Sequence, residues 1–236
     1  GRLAVTQLAL DTPDGTTAAE GVAGRFDLDF RKSPGLSLVT VDGQLQGGEI
    51  LAGNAYLALP ATPIALNLAA RQQGSGGWEI PQFSWDDGDA MRVEGSLGFA
   101  ADASLRDADV SLHSRDIAPL RPRYLSGWLG LFGLSALQLQ GALSAHLVLQ
   151  DGEMTAAEAQ LDEISLVDAQ QRFRFEGLSG KPVYSATTPV SSALHWRGGA
   201  LQGLEFGKAD LPLHSSGGNI GLSQPVTVPM LGGGLH

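Results

Sequence analysis

The chain has no cysteine among its 236 residues. That excludes disulfides and thiolate metal sites, and it removes the usual marker of redox compartment. Charge is scarce as well. Asp, Glu, Lys and Arg make up 17% of the chain, and 15 basic against 25 acidic residues leave a formal charge of −10. Such a balance repels phosphate backbones and anionic headgroups, so no nucleic-acid partner is expected. Aromatic residues are only 6%, so Leu, Ala and Val carry most of the 43% hydrophobic content. Few large rings are available to fill a thick core. No run reaches the roughly 18 apolar residues of a membrane-spanning helix, and residues 1–10 lack the charged and apolar regions of a signal peptide.

Glycine is abundant, at 32 residues, and apolar residues alternate with polar ones. The clearest run is Leu137, Leu139, Gly141, Leu143, Ala145, Leu147 and Leu149, with Gln138, Gln140, Ser144, His146 and Gln150 between them. Period two places one face in water and the other away from it. The run is either one long strand bent at Gly141 or two strands in register. Asp151-Gly152 supplies a hairpin turn after it. The same alternation marks Phe26, Leu28 and Phe30, then Ala108, Val110 and Leu112, then Phe173 and Phe175. Further strands are expected near 36–45, 65–72, 78–85, 91–99, 192–196, 201–206, 219–222 and 226–230. Both ends lie inside patterned sequence, with Leu3, Val5, Leu8 and Leu10 at one and residues 230–236 at the other. The expectation is a single β-rich domain over 1–236, cut from a longer protein.

One segment departs from this pattern. After Pro122, the residues Tyr124, Leu125, Trp128, Leu129 and Phe132 recur at helical spacing. This predicts one or two short helices or turns near 119–132, with an apolar stripe that packs inward and plugs the open end of a sheet.

Motifs for chemistry are lacking. Asp86-Asp87-Gly88-Asp89 is the densest acidic cluster, but it lacks the ligand spread and closing glutamate of a calcium loop and reads as a solvated turn. The five histidines, at 113, 146, 195, 214 and 236, form no zinc-type pair. Residues 203–209 have three residues between their glycines and Ala209 after Lys208, which is not a phosphate loop. The glycines at 232–234 read as a bend. No nucleophile elbow occurs. No catalytic residue, cofactor or metal ligand is expected, and the chain does not read as an enzyme.

A resemblance adds to this. Residues 91–99 (Met-Arg-Val-Glu-Gly-Ser-Leu-Gly-Phe), the strand 105–112, the turn 119–129 and the run 137–143 resemble the repeating grammar of AsmA-like bacterial envelope proteins, in which a leucine-x-glycine-x-leucine step follows each strand pair. Residues 218–233, with Pro225-Val226-Thr227-Val228-Pro229-Met230-Leu231-Gly232-Gly233, resemble the YdbH-like and TamB-like branch. The likeness covers roughly 91–236. It implies an all-β fold, a long, strongly curved antiparallel sheet forming an open groove. It also implies a periplasmic location, a tether to the inner membrane through regions outside this fragment, and passage of phospholipid acyl chains along an apolar surface toward the outer membrane. The candidate lipid-facing residues are Val110, Leu112, Leu137, Leu139, Leu143, Leu147, Leu149, Phe173 and Phe175. The same residues also fit a closed core, as in a structural or adhesive β-sandwich or β-solenoid of a secreted protein, because alternation alone does not separate the two. A glycan hydrolase ranks last, since it needs two carboxylates about 5 to 9.5 Å apart across a cleft.

Overall fold

The computed structural model describes residues 1–13, 15–53, 55–230 and 233–235. Leu231 and Gly232 of the C-terminal step, and His236, lie outside these residues. The chain is all-β, with antiparallel strands in an open arrangement not closed into a barrel, and one short helical segment. It divides into two compact units, Gly1–Val110 with Pro119–Ser135, and Ser111–Ala118 with Ala136–His236.

The first unit contains β1 (Arg2–Asp11), β2 (Thr17–Ser33), β3 (Leu36–Gln46), β4 (Glu49–Ala52), β5 (Ala55–Ala58), β6 (Ile64–Gln73), β7 (Trp78–Asp87), β8 (Met91–Phe99) and the start of β9 (Leu105–Ser114). Pairing runs from β1 through β2, β3, β6 and β7 to β8. Along the edge away from β1, strand β2 serves two partners. Thr17 to Glu20 pair with β4, and Ala23 to Ser33 pair with β3. The change falls at Gly21, whose φ of 68° an L side chain adopts only under strain. Pro34 and Gly35, the latter at φ 76°, close the β2–β3 hairpin as proline and glycine do in a type II turn. The buried cluster Val22, Leu59 and Ile64, with Ala19, Leu45, Ile50 and Trp85 against it, closes one end of the sheet.

The helical segment is a π-helical turn, Arg121–Leu125, followed by α1 (Ser126–Leu131). The expected single stripe is split. Leu129 is buried and Tyr124 and Leu125 are half-buried, while Trp128 and Phe132 are exposed, with ring centroids 5.1 Å apart. The π turn ends at Leu125, so Trp128, Leu129 and Phe132 keep ordinary α-helical spacing, in which Trp128 and Leu129 stand about 100° apart, and of these three only Leu129 is buried.

The second unit contains β10 (Gln138–Gln150), β11 (Glu153–Val167), β12 (Phe173–Gly180), β13 (Val183–Ser185), β14 (Val190–Trp196), β15 (Gly198–Leu201), β16 (Leu204–Phe206), β17 (Ala209–Ser216), β18 (Asn219–Leu222), β19 (Val228–Met230) and β20 (Gly233–Leu235). Strand β10 is one long strand, and its register shifts at Gly141, where φ is 109°. Asp151 (φ 52°) and Gly152 (φ 81°) both take the left-handed conformation that a two-residue type I′ hairpin requires. Strand β11 is rich in Ala, Glu, Gln and Leu, which favour helix in isolation. Full-length pairing with β10 overrides that preference.

Candidate functional site: a half-open apolar face

Cross-strand register sorts the first unit's sheet into alternating apolar and polar rows. Leu3, Phe26, Gly43, Leu66, Trp85 and Val93 stand opposite one another across six strands. Val5, Gly24, Leu45 and Ile64 form the next apolar row toward the closed end. Leu28, Val41, Leu68, Phe83 and Gly95 form the next apolar row on the other side. Between them runs a polar row on the opposite face, Arg2, Asp27, Asp42, Asn67, Ser84 and Glu94, with Arg2 Nε 3.0 Å from Asp27. Phe26 lies flat across Gly43, where a Cβ would strike its ring.

The second unit repeats this scheme. Leu139, Leu166, Phe175, Gly199, Phe206 and Met230 form one row through successive strands. Leu143, Leu161, Gly180, Leu194 and Leu211 form another. Phe206 lies over Gly199 as Phe26 does over Gly43. Phe175 meets Phe173, Trp196 and Phe206 with ring centroids 6.3, 6.0 and 5.4 Å away.

These faces are incompletely covered. Among the described residues the buried apolar side chains are few, while Val39, Val41, Leu66, Leu68, Val93, Leu161 and Leu194 are half-buried and Leu3 and Phe30 are exposed. The chain exposes 13990 Å² at a mass of 24.6 kDa. A compact monomer of that mass exposes about 10,100 Å², and two separate globules of half the mass together about 12,200 Å². The surplus agrees with the half-buried state of the apolar rows. Shallow hollows lie on both sides of the first unit. One of about 620 Å³ lies among Arg2, Arg25, Asp27, Asp42 and Asn67 on the polar side, and one of about 320 Å³ lies among Ala70, Trp78, Ile80 and Phe99.

The sequence-selected residues fall unevenly on this surface. Leu137 and Leu139 are buried, at 6% and 8% exposure, whereas Leu143, Leu147, Leu149, Val110, Leu112, Phe173 and Phe175 are half-buried. Register brings Leu139 and Phe175 into one row, with Leu166 between them. Sequence reasoning missed Leu66, Trp85, Leu161, Leu166, Trp196 and Phe206. The strands that carry Leu66, Trp85, Trp196 and Phe206 were visible, but which strands stand side by side was not, and Leu161 and Leu166 lie on β11, whose composition argues for helix.

The acidic turn is also more than a solvated one. Asp87 is buried at 2% exposure and accepts hydrogen bonds from Tyr124 Oη at 2.6 Å and Arg123 Nη1 at 2.8 Å. Arg123 also donates to Asp89 at 2.7 and 3.2 Å. Trp85 Nε1 donates to Tyr124 Oη at 3.0 Å. The network fastens the helical segment to the β7–β8 turn. Burial, then the Asp87 contact, pushes the Tyr124 hydroxyl well above its ordinary pKa. The Arg123 hydrogen bond holds the Asp89 carboxyl below the usual range. All four groups have structural partners.

Among the described residues no three His, Asp or Glu side chains are placed to hold a metal ion. His113 Nδ1 lies 2.7 Å from Ser144 Oγ, and His146 stands opposite Glu158 across the β10–β11 pair. Among the described residues no helix is long and apolar enough to cross a membrane. No family model, no curated protein and no solved structure matches the chain.

Proposed function

We propose that the chain is a non-enzymatic lipid-binding surface, whose half-open apolar rows receive phospholipid acyl chains. The observation that carries this reading is the continuity of those rows. In each unit apolar side chains stand shoulder to shoulder across five or six strands, with nothing layered over much of their length. An acyl chain laid along such a row gains about 0.8 kcal/mol for each methylene removed from water. Leu, Val and Ala make smooth, nondirectional contacts that favour no particular chain position, which suits passage better than tight capture. The resemblance to AsmA-like proteins adds a context: transport between the inner and outer membranes, in the periplasm, from a site tethered to the inner membrane. A structural or adhesive sandwich draws less support, because it would bury these rows against a second sheet.

The test is lipid extraction and native mass spectrometry of the purified chain, followed by transfer of a fluorescent phospholipid between vesicles. Co-purifying phospholipid, lost in a Val41→Glu and Leu68→Glu double variant that keeps its β-sheet circular dichroism, is the expected result. A chain free of lipid that transfers none above background would overturn the reading.

A further inference from the structure

The short helix leaves one apolar face bare. Trp128, Leu131 and Phe132 stand at i, i+3 and i+4 on α1 and the residue that caps it, within an arc of about 100°. They are 56%, 72% and 60% exposed, while Leu129 beside them is buried. Gly130 borders the face with open space where a Cβ would stand. Of the chain's four tryptophans, Trp78, Trp85 and Trp196 are half-buried and Trp128 is exposed.

This face is held outward. Tyr124 and Arg123, in the turn before α1, are fastened to Asp87 at 2.6 and 2.8 Å. Gly127 packs so closely on Tyr56 that a Cβ there would stand 2.8 Å from the Tyr56 Cβ. The helix cannot roll Trp128 inward without breaking these contacts. The surrounding sequence is neutral, since no Asp, Glu, Lys or Arg occurs between Arg123 and Asp151, in a chain whose formal charge is −10. Behind the face, Arg123 is paired with Asp87 and Asp89, and Arg121 Nη1 donates to the Ser135 carbonyl at 2.7 Å. The face therefore offers apolar contact and little charge.

We propose that Trp128, Leu131 and Phe132 insert into the interfacial layer of a phospholipid bilayer with neutral headgroups. Area argues for this occupant over a protein. The three side chains together expose roughly 400 Å², about half of what each partner contributes to a standard protein interface. A bilayer needs no matching surface and accepts a patch of any size. Composition argues the same way. Trp, Phe and Leu on one face mark helices that lie in the membrane–water interface, where the indole N–H stays with the headgroups while its ring enters the apolar layer. With no carboxylate on the face, insertion strips water from no charge, and the acidic balance of the chain turns it away from anionic headgroups. The contact goes beyond the apolar rows and stands whatever those rows carry.

Because the chain has no cysteine, Leu131→Cys carries a single environment-sensitive fluorophore. Added to phosphatidylcholine vesicles, the full chain so labelled should show a blue-shifted emission and quenching by brominated acyl chains. Flotation of the unlabelled chain with the same vesicles should fall roughly 5- to 30-fold in partition for Trp128→Ser and for Phe132→Ser. Both variants should keep their circular dichroism, since neither side chain is buried. Ile220→Ser, which removes a comparably exposed side chain from β18, should change nothing. Val41→Glu with Leu68→Glu should bind vesicles as wild type does; loss of binding there would move the contact to the rows and overturn the proposal. It is also overturned by a chain that does not float, by a fluorophore that stays in water on bound protein, or by binding that requires phosphatidylglycerol. A blue shift that grows with protein concentration in the absence of vesicles would assign the face to a second copy instead.

Discussion

Replacing Asp87 with alanine removes the acceptor on which the helical segment is fastened. The carboxylate is buried and accepts one hydrogen bond from Tyr124 at 2.6 Å and one from Arg123 at 2.8 Å. A hydrogen bond to a charged group contributes about 1.5–3 kcal/mol, and a buried donor left without a partner costs about 1–3 kcal/mol. Arg123 keeps Asp89 at 2.7 Å, so its charge stays paired. Tyr124 keeps Trp85 as a donor but has nothing left to donate to. Relief from burying the carboxylate offsets part of the loss. The expected cost of Asp87→Ala is therefore about 2–4 kcal/mol, and that of Tyr124→Phe about 2 kcal/mol. Because the two substitutions remove the same bond, the double variant should be less destabilised than their sum by about 1.5 kcal/mol or more. Urea unfolding followed by circular dichroism measures all three, and amide exchange over 121–131 should quicken in each. A cost for Asp87→Ala below about 1 kcal/mol, or strict additivity, would refute the anchoring role.

Two further predictions concern packing and pH. At Gly199 a Cβ would meet both the Phe206 ring and the Arg174 carbonyl, so Gly199→Val should cost about 1–3 kcal/mol as overpacking; a near-UV circular dichroism spectrum that stays unchanged would contradict it. The Asp168 carboxylate accepts bonds from Arg172 Nε at 2.6 Å and Nη2 at 3.0 Å, which hold its pKa at about 2. A carboxyl depressed by folding contributes fully above its unfolded pKa of about 4, and the contribution fades as pH falls through its folded value. The stability gap between wild type and Asp168→Asn, read from urea midpoints, should hold steady from about pH 7 to 5 and narrow toward about pH 2. A gap that does not change with pH would rule this out.

Period-two alternation was enough to place strands at 36–45, 91–99 and 137–149, because the backbone sends successive side chains to opposite faces whatever lies around them. Asp151-Gly152 was legible for a similar local reason, since both residues accept positive φ. The helical segment was legible in position but not in orientation. Spacing groups Trp128, Leu129 and Phe132 on one stripe, and only the packing of the helix decides that Leu129 turns inward while Trp128 and Phe132 stay exposed. Strand β11 was invisible, because its composition argues for helix and only pairing with β10 makes it extended.

The sequence by itself determined the all-β class, the turns and the split of each strand into a wet and a dry side, since these depend on local geometry and on the chemistry of adjacent residues. Tertiary structure alone decided which strands became neighbours, and so which side chains joined into rows. It set Phe206 over Gly199, made Asp87 a buried anchor, covered Leu137 and Leu139, and left Leu143 to Leu149 half open. Register and burial are properties of distant parts of the chain meeting, and no window of residues contains them.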